Sequence, residues 1–208
     1  MDKSSVSVYR FNGALYFNIT NECPNACVFC IKNKWNMQFM GFNLKLDEKP
    51  EADSIIAQMR EQYRAEPFAS AVFCGYGEST CRFLDMMKIA RAAKELGVRL
   101  RLNTIGLGNL VNGRDITPEL AEVFDAVNVS LNACSEEKWK KLVRPAKKYE
   151  KDGFRSVLEF IKLCAAKIPD TTVSAVADTH ADCRKIEETA RSLGAKFRLR
   201  PHLDQEGK

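Results

Sequence analysis

Strand-like runs alternate with helix-period segments along most of the chain, and this alternation limits the fold more than any other feature. Residues 71–76, 98–104, 125–131, 171–177 and 195–200 read as strands. Between them, apolar residues recur three and four apart, as in Ile55, Ile56, Met59 and Tyr63, or Phe83, Met86, Met87, Ala90 and Ala93, or Phe154, Val157, Leu158 and Ile161. Helix boundaries are also marked. Asp53 is predicted to cap a helix through residue 64, and Gly97 to stop one over 82–96. Thr117-Pro118-Glu119 opens another with Pro at its first position, and Ser135 caps a helix whose first turn carries Glu136 and Glu137. Two more are predicted over 154–166 and 181–193, the latter ended by Gly194. Repeated strand–helix units imply parallel strands with right-handed crossovers. About six strands fall short of the eight that close a barrel. Ahead of them, residues 6–10 and 14–19 flank Asn12-Gly13, a two-residue hairpin signal. The expected fold is α/β, an open partial (β/α)6 barrel of parallel strands with an N-terminal β-hairpin extension. With no linker, low-complexity run or internal repeat, residues 1–208 are expected to form a single domain.

Cys23, Cys27 and Cys30 sit in one short loop, Cys-Pro-Asn-Ala-Cys-Val-Phe-Cys, directly after the 14–19 strand. Three thiolates at this spacing can hold three irons of a cubane [4Fe–4S] cluster and leave the fourth without a protein ligand. Such an open position is where a metal centre does chemistry. The rival sites are closed ones. A structural zinc site pairs two CxxC units or adds histidines, but the chain has no second CxxC, and its two histidines, His180 and His202, lie far along it. Cys74, Cys81, Cys134, Cys164 or Cys183 could still supply a distant fourth ligand. A non-catalytic iron–sulfur or zinc protein, serving electron transfer, structure or a nucleic-acid-associated module, is therefore the alternative to an enzyme.

CxxxCxxC with an aromatic residue, Phe29, before the last cysteine resembles the radical S-adenosylmethionine (radical SAM) superfamily. The segments at 16–23, 73–80 (Phe-Cys-Gly-Tyr-Gly-Glu-Ser-Thr), 101–110 and 127–133 follow in the superfamily's order and look most like the small TatD-linked radical SAM proteins. The resemblance implies that Cys23, Cys27 and Cys30 ligate the cluster and that SAM chelates the open iron. Reductive cleavage of SAM would then give a 5′-deoxyadenosyl radical that abstracts hydrogen from a substrate. It also implies an electron donor such as flavodoxin or ferredoxin, and association with a TatD-family nuclease.

In parallel β/α folds, active groups gather at the carboxyl ends of the strands. The cysteine loop, Gly75-Tyr-Gly77-Glu78, Asn103-Thr104 and Ser130-Leu-Asn132 all fall at such ends. By resemblance, the Gly75–Glu78 backbone meets the SAM amino group, with glycine removing a Cβ obstruction. The other reading of Glu78 is a carboxylate near a helix start. Ser130 and Asn132, alternating in a strand, would share a face toward the ribose or carboxylate of SAM; the other reading is local turn bonding. Asn103 and Thr104 would join them, although Ile105 stands where relatives often carry Asn. Phe29 would pack on the adenine or shield the cluster.

Composition closes off other classes. No stretch approaches the ~20 apolar residues of a membrane span, and residues 1–5 begin no apolar leader. Eight cysteines without an export signal suggest reduced thiols and a cytoplasmic protein. The remaining cysteines show no spacing for a second cluster, although Cys81 and Cys134 fall near the expected catalytic rim. A basic stretch, Lys138 to Lys151, could meet phosphates with Trp139 and Tyr149 stacking, but Glu136, Glu137, Glu150 and Asp152 interrupt it, and a solvated face fits better. Little chain is left for a substrate domain, which leaves the barrel mouth for a large substrate or partner protein to cover.

Overall fold

The computed structural model describes residues 4–177 and 182–201; His180, His202 and the expected helix start at Ala181 lie outside the described residues. Strands β1 (Val8–Phe11) and β2 (Ala14–Phe17) are followed by a short helix α1 (Ile31–Lys34) and a small pair β3 (Gln38–Phe39) and β4 (Phe42–Asn43). Then come α2 (Ala52–Ala65), β5 (Ser70–Phe73), a 3-10 turn (Ser79–Arg82), α3 (Phe83–Lys94), β6 (Arg99–Thr104), α4 (Gly108–Asn112) and α5 (Thr117–Val123). The rest is β7 (Ala126–Ser130), α6 (Glu136–Val143), α7 (Lys147–Glu150), α8 (Gly153–Lys167), β8 (Asp170–Val176), α9 (Cys183–Ser192) and β9 (Lys196–Arg200).

A seven-stranded sheet runs in the order β1-β2-β5-β6-β7-β8-β9. β1 and β2 pair antiparallel across Asn12 and Gly13, whose φ angles of 47° and 75° give the left-handed turn that matches strand twist. Every later pairing in this sheet is parallel, as crossover helices between successive strands require. The same turn chemistry recurs at Met40 and Gly41, with φ of 47° and 81°, in the β3–β4 pair that the sequence pattern did not signal.

Strand alternation divides the sheet into two chemically different faces. Leu100 and Leu102 on β6, Val127 and Val129 on β7, and Val173 and Ala175 on β8 are buried in the main core with Met86, Phe160 and Ile161 of the helices. Phe17, Phe73 and Phe124 form its aromatic centre, with ring centroids 4.9 and 5.5 Å apart. The intervening residues are polar: Arg101 and Asn103, Asn128 and Ser130, Ser174, Arg198 and Arg200. Registers Asn103↔Asn128 and Ser130↔Ser174↔Arg198 set them side by side.

Two boundary expectations need correction. Asp53 is not a cap: α2 starts at Ala52 behind Glu51, and Asp53 sits in the first turn, where its carboxylate favours the positive helix end and pairs with Lys88 at 2.8 Å. The helix expected from residue 82 begins instead as a 3-10 turn at Ser79, because the Glu78 side chain accepts from the Thr80 N–H. Ser135 does occupy the N-cap of α6 but makes no side-chain capping bond.

Phe73 is fully buried between two aromatic rings. Phe73→Ala is expected to lower stability by about 3–5 kcal/mol, read as a shift of the urea midpoint at unchanged slope.

Candidate active site

The segment after β5 lies directly against the segment after β2. Cys74 N–H donates to the Phe17 carbonyl at 3.1 Å and Glu78 N–H to the Glu22 carbonyl at 2.8 Å, so 74–78 runs beside the backbone leading to Cys23. Two glycines make this approach feasible. A Cβ at Gly75 would stand 2.2 Å from Asn18 Oδ1, and one at Gly77 would stand 2.3 Å from the Thr20 carbonyl. The missing Cβ atoms therefore face the neighbouring strand exit. Their steric reason is the packing of protein on protein, whereas the sequence reading assigned it to the approach of a ligand.

The cysteine loop is held from its other side by the end of α6. Ala26 N–H donates to the Val143 carbonyl, Val28 N–H to Leu142, and Ala146 N–H to Pro24, at 3.0, 2.9 and 2.8 Å. Arg144, with φ of 45°, turns the chain there. Val143 and Trp139 are buried, which seats α6 and through it the loop. Asn18 and Asn21 brace the approach by donating to the Leu44 carbonyl at 3.0 and 2.9 Å.

A cavity of about 480 Å³ opens at the carboxyl ends of the strands. Cys23, Cys27, Phe29 and Cys30 line one part of it, Gly75, Gly77 and Glu78 another, and Asn103, Thr104, Ser130 and Asn132 a third. The tertiary fold thus brings together every site residue the sequence singled out. No disulfide joins any of the eight cysteines. Burial pushes the Cys23 thiol up to about 11. It pushes Cys27 up to about 12, with Cys23 and Cys30 nearby adding to the rise. A metal binding these thiols must displace their protons, so its uptake should strengthen as pH rises.

Glu78 and Thr104 have structural duties in this wall. Glu78 is 1% exposed. Its carboxylate accepts from Thr80 N–H and Oγ1, Thr104 Oγ1 and Ile105 N–H, at 3.2, 2.7, 2.8 and 2.8 Å. Burial raises its pKa, and these donors pull it back. The carboxylate thus ties the loop after β5 to the loop after β6. Ile105 serves that tie through its backbone, so the side chain there carries little of the geometry. Asn132 does not follow the expected alternation: β7 ends at Ser130, and Asn132 lies beyond it at φ 60° with its Oδ1 accepting from Val176 N–H at 3.1 Å. Asn visits this left-handed region more readily than most residues, and here its amide oxygen is held by β8. It reaches the cavity by a turn rather than by strand periodicity.

Sequence reasoning missed other cavity residues. Cys74 lines the cavity, whereas Cys81 and Cys134, expected near the rim, do not. Cys164 is in the core. Tyr16, Arg101, Asn128, Ser174, Arg198 and Arg200 also line the cavity. Their signal was present as period-two polarity, Arg101-Leu-Asn103 and Arg198-Leu-Arg200, in strands otherwise read for their apolar residues. Two cations of the basic stretch pair locally, Lys140 with Glu136 at 2.6 Å and Lys141 with Glu137 at 2.7 Å. Trp139 is fully buried and unable to stack on a base.

Residues 17–193 match the Radical SAM superfamily, and the chain belongs to that superfamily. Among similar solved structures, SuiB of Streptococcus suis has a TM-score of 0.62 at 16% identity, over 89% of this chain and 39% of SuiB. A structure of TYW1 with a lysine-pyruvate adduct bound has a TM-score of 0.65 at 13% identity, over 94% of this chain and 67% of that one. A radical SAM methyltransferase from Sphaerobacter thermophilus has a TM-score of 0.56 at 13% identity, over 93% and 68% of the two chains. These likenesses concern the α/β fold with its mostly parallel sheet, and the chain spans well under half of SuiB. No curated protein sequence matches it.

Gly77→Ala should displace the cysteine loop, because the colliding atoms are backbone carbonyls that cannot rotate away. A loss of about 1–3 kcal/mol is expected, together with reduced iron uptake. The thermal transition and the iron content after anaerobic reconstitution check the two effects.

Proposed function

We propose that Cys23, Cys27 and Cys30 hold a single [4Fe–4S] cluster and that the protein is a radical SAM enzyme acting by hydrogen abstraction. The observation that carries this reading is the convergence of all the sequence-derived site residues on one cavity. The donor set fits the cluster. It consists of soft sulfurs, while the carboxylate in the same wall, Glu78, is engaged by four donors. Among the described residues no three His, Cys, Asp or Glu side chains form a group able to hold a metal ion. A cubane asks for something different, namely thiolates spread over separate corners.

When bound, the cluster with SAM supplies the electron that splits the sulfonium and yields the 5′-deoxyadenosyl radical, which takes hydrogen from the substrate. The chain's own residues position these groups and exclude water. Gly75, Gly77 and Glu78 offer backbone to the SAM amino group. Ser130 and Asn132 face its ribose or carboxylate, with Asn103 and Thr104 beside them, and Phe29 packs on the adenine or covers the cluster. The sheet serves as an open partial (β/α)6 barrel in a single domain, with the β1–β2 hairpin as an N-terminal extension.

The order of the family-like segments supports placement among the TatD-linked proteins, with a TatD-family nuclease as associate and reduced flavodoxin or ferredoxin as electron donor. Reduced thiols support a cytoplasmic setting. Among the described residues no helix is long and apolar enough to cross a membrane. SuiB has also been solved bound to S-adenosylmethionine and to the precursor peptide SuiA. A peptide is accordingly one candidate for the large substrate that an uncovered barrel mouth would admit.

Anaerobic reconstitution should give about four irons per chain, and dithionite with SAM should release 5′-deoxyadenosine. Cys23→Ala, Cys27→Ala and Cys30→Ala should each abolish that product, while Cys81→Ala and Cys134→Ala should retain it. Zinc in place of iron, or a cluster that never yields 5′-deoxyadenosine, would point to a closed non-catalytic site.

A further inference from the structure

Four cationic side chains are gathered in the described lining of the cavity. Lys32, Arg101, Arg198 and Arg200 line it, against one carboxylate among the described lining residues, Glu78. That carboxylate is already saturated by Thr80, Thr104 and Ile105. Arg101 lies on the central strand β6 and Arg198 and Arg200 on the edge strand β9, with β7 and β8 between them, and all three line the cavity.

None of the three arginines makes an ion pair with a carboxylate among the described residues. Arg101 Nη2 reaches the Tyr16 hydroxyl at 3.4 Å, and Arg200 Nη2 donates to Ser130 Oγ at 3.2 Å. The Nε atoms of both Arg101 and Arg200 are buried without any partner. Burial, with Arg198 adding repulsion, lowers the pKa of Arg200. An uncompensated guanidinium held away from water is costly, and the cost is relieved by an anion that accepts from its fork. Guanidinium geometry suits planar or tetrahedral oxyanions bound through two parallel hydrogen bonds.

An aromatic wall adjoins the arginines, with Tyr16 beside Arg101. Tyr9, Phe11, Tyr16 and Phe39 line the same cavity. They form a packed sheet of rings, with Tyr9–Tyr16 centroids 5.4 Å and Phe11–Phe39 centroids 5.0 Å apart. These residues come from the β1–β2 hairpin and the β3–β4 pair. The two hairpins thus supply an aromatic wall beside the cationic one.

Building on the radical SAM reading, we infer that Arg101, Arg198 and Arg200 bind an oxyanion of the substrate, a carboxylate or a phosphate, carried on an apolar or aromatic body that rests against Tyr9, Phe11, Tyr16 and Phe39. The anion anchors the substrate at the sheet end of the cavity.

The test uses the cluster-loaded, SAM-bound protein and isothermal titration at fixed ionic strength. Phenylphosphate and phenylacetate are the probes, and phenylacetamide is the neutral control. At least one anion should bind at least tenfold more tightly than the amide, and the stronger of the two identifies phosphate or carboxylate. Arg101→Gln and Arg200→Gln should each weaken that binding at least tenfold. Arg101→Lys, which keeps the charge and loses the fork, should recover only part of it and stands in if Arg101→Gln does not fold. Arg60→Gln, on the outer helix α2, should bind as the wild type does.

Equal binding of amide and anions, no binding of either anion, or unchanged affinity in the folded variants would overturn the inference. So would anion binding that is seen in metal-free protein and lost on loading, since the arginines would then serve SAM's carboxylate or the cluster's charge. Selective anion binding in a protein that never cleaves SAM would leave this inference standing and count against the radical SAM reading alone.

Discussion

The contact of Gly75 with Asn18 and of Gly77 with the backbone of Thr20 and Glu22 is the constraint on which the site depends. Glu78 N–H and the Glu22 carbonyl extend the β2–β5 pairing beyond both strands, up to the residue before Cys23. A side chain at either glycine would collide with atoms 2.2 or 2.3 Å away. This close seam carries the regular geometry of the sheet into what would otherwise be a loop. The cysteines therefore start from a fixed base, and the α6 terminus clamps the far side of the loop with three further backbone bonds.

From that seam outward the wall is built by buried polar contacts rather than by apolar packing. Glu78 gathers donors from its own turn and from the end of β6, and Asn132 accepts from β8. In a low-dielectric setting a fully satisfied network of this kind is stiff, because releasing any member strands a buried polar group. The carboxylate most conspicuous in the glycine motif is consequently a brace. Its neighbour Thr104, which donates to Glu78 and accepts from Gly106 N–H, is another.

The two faces of the sheet divide the labour. Helices cover the apolar face and supply stability, while the polar face stays open around the cavity. The aromatic wall is grafted on by short hairpins at the chain's beginning and after the cysteine loop. Many charges outside the cavity form ion pairs, as in Glu136–Lys140 and Lys88–Asp53, whereas among the described residues the three arginines inside it form none.

Local chemistry alone determined much of this protein. Asn12-Gly13 can form few turns other than the one seen, the cysteine spacing suits few metals, and 3.6- and 2-residue periodicities name helices and strands because each needs only its own side chains. The tertiary structure decided what depends on neighbours distant in sequence. It showed that Gly75 and Gly77 face Asn18 and Thr20, that Asn132 arrives by a left-handed turn, and that Cys74 rather than Cys81 lines the cavity. It also set Arg101, Arg198 and Arg200 around one cavity. Periodicity specifies that a residue alternates with its neighbours; which face is buried and which borders a cavity is set only when strands nearly a hundred residues apart close on one another.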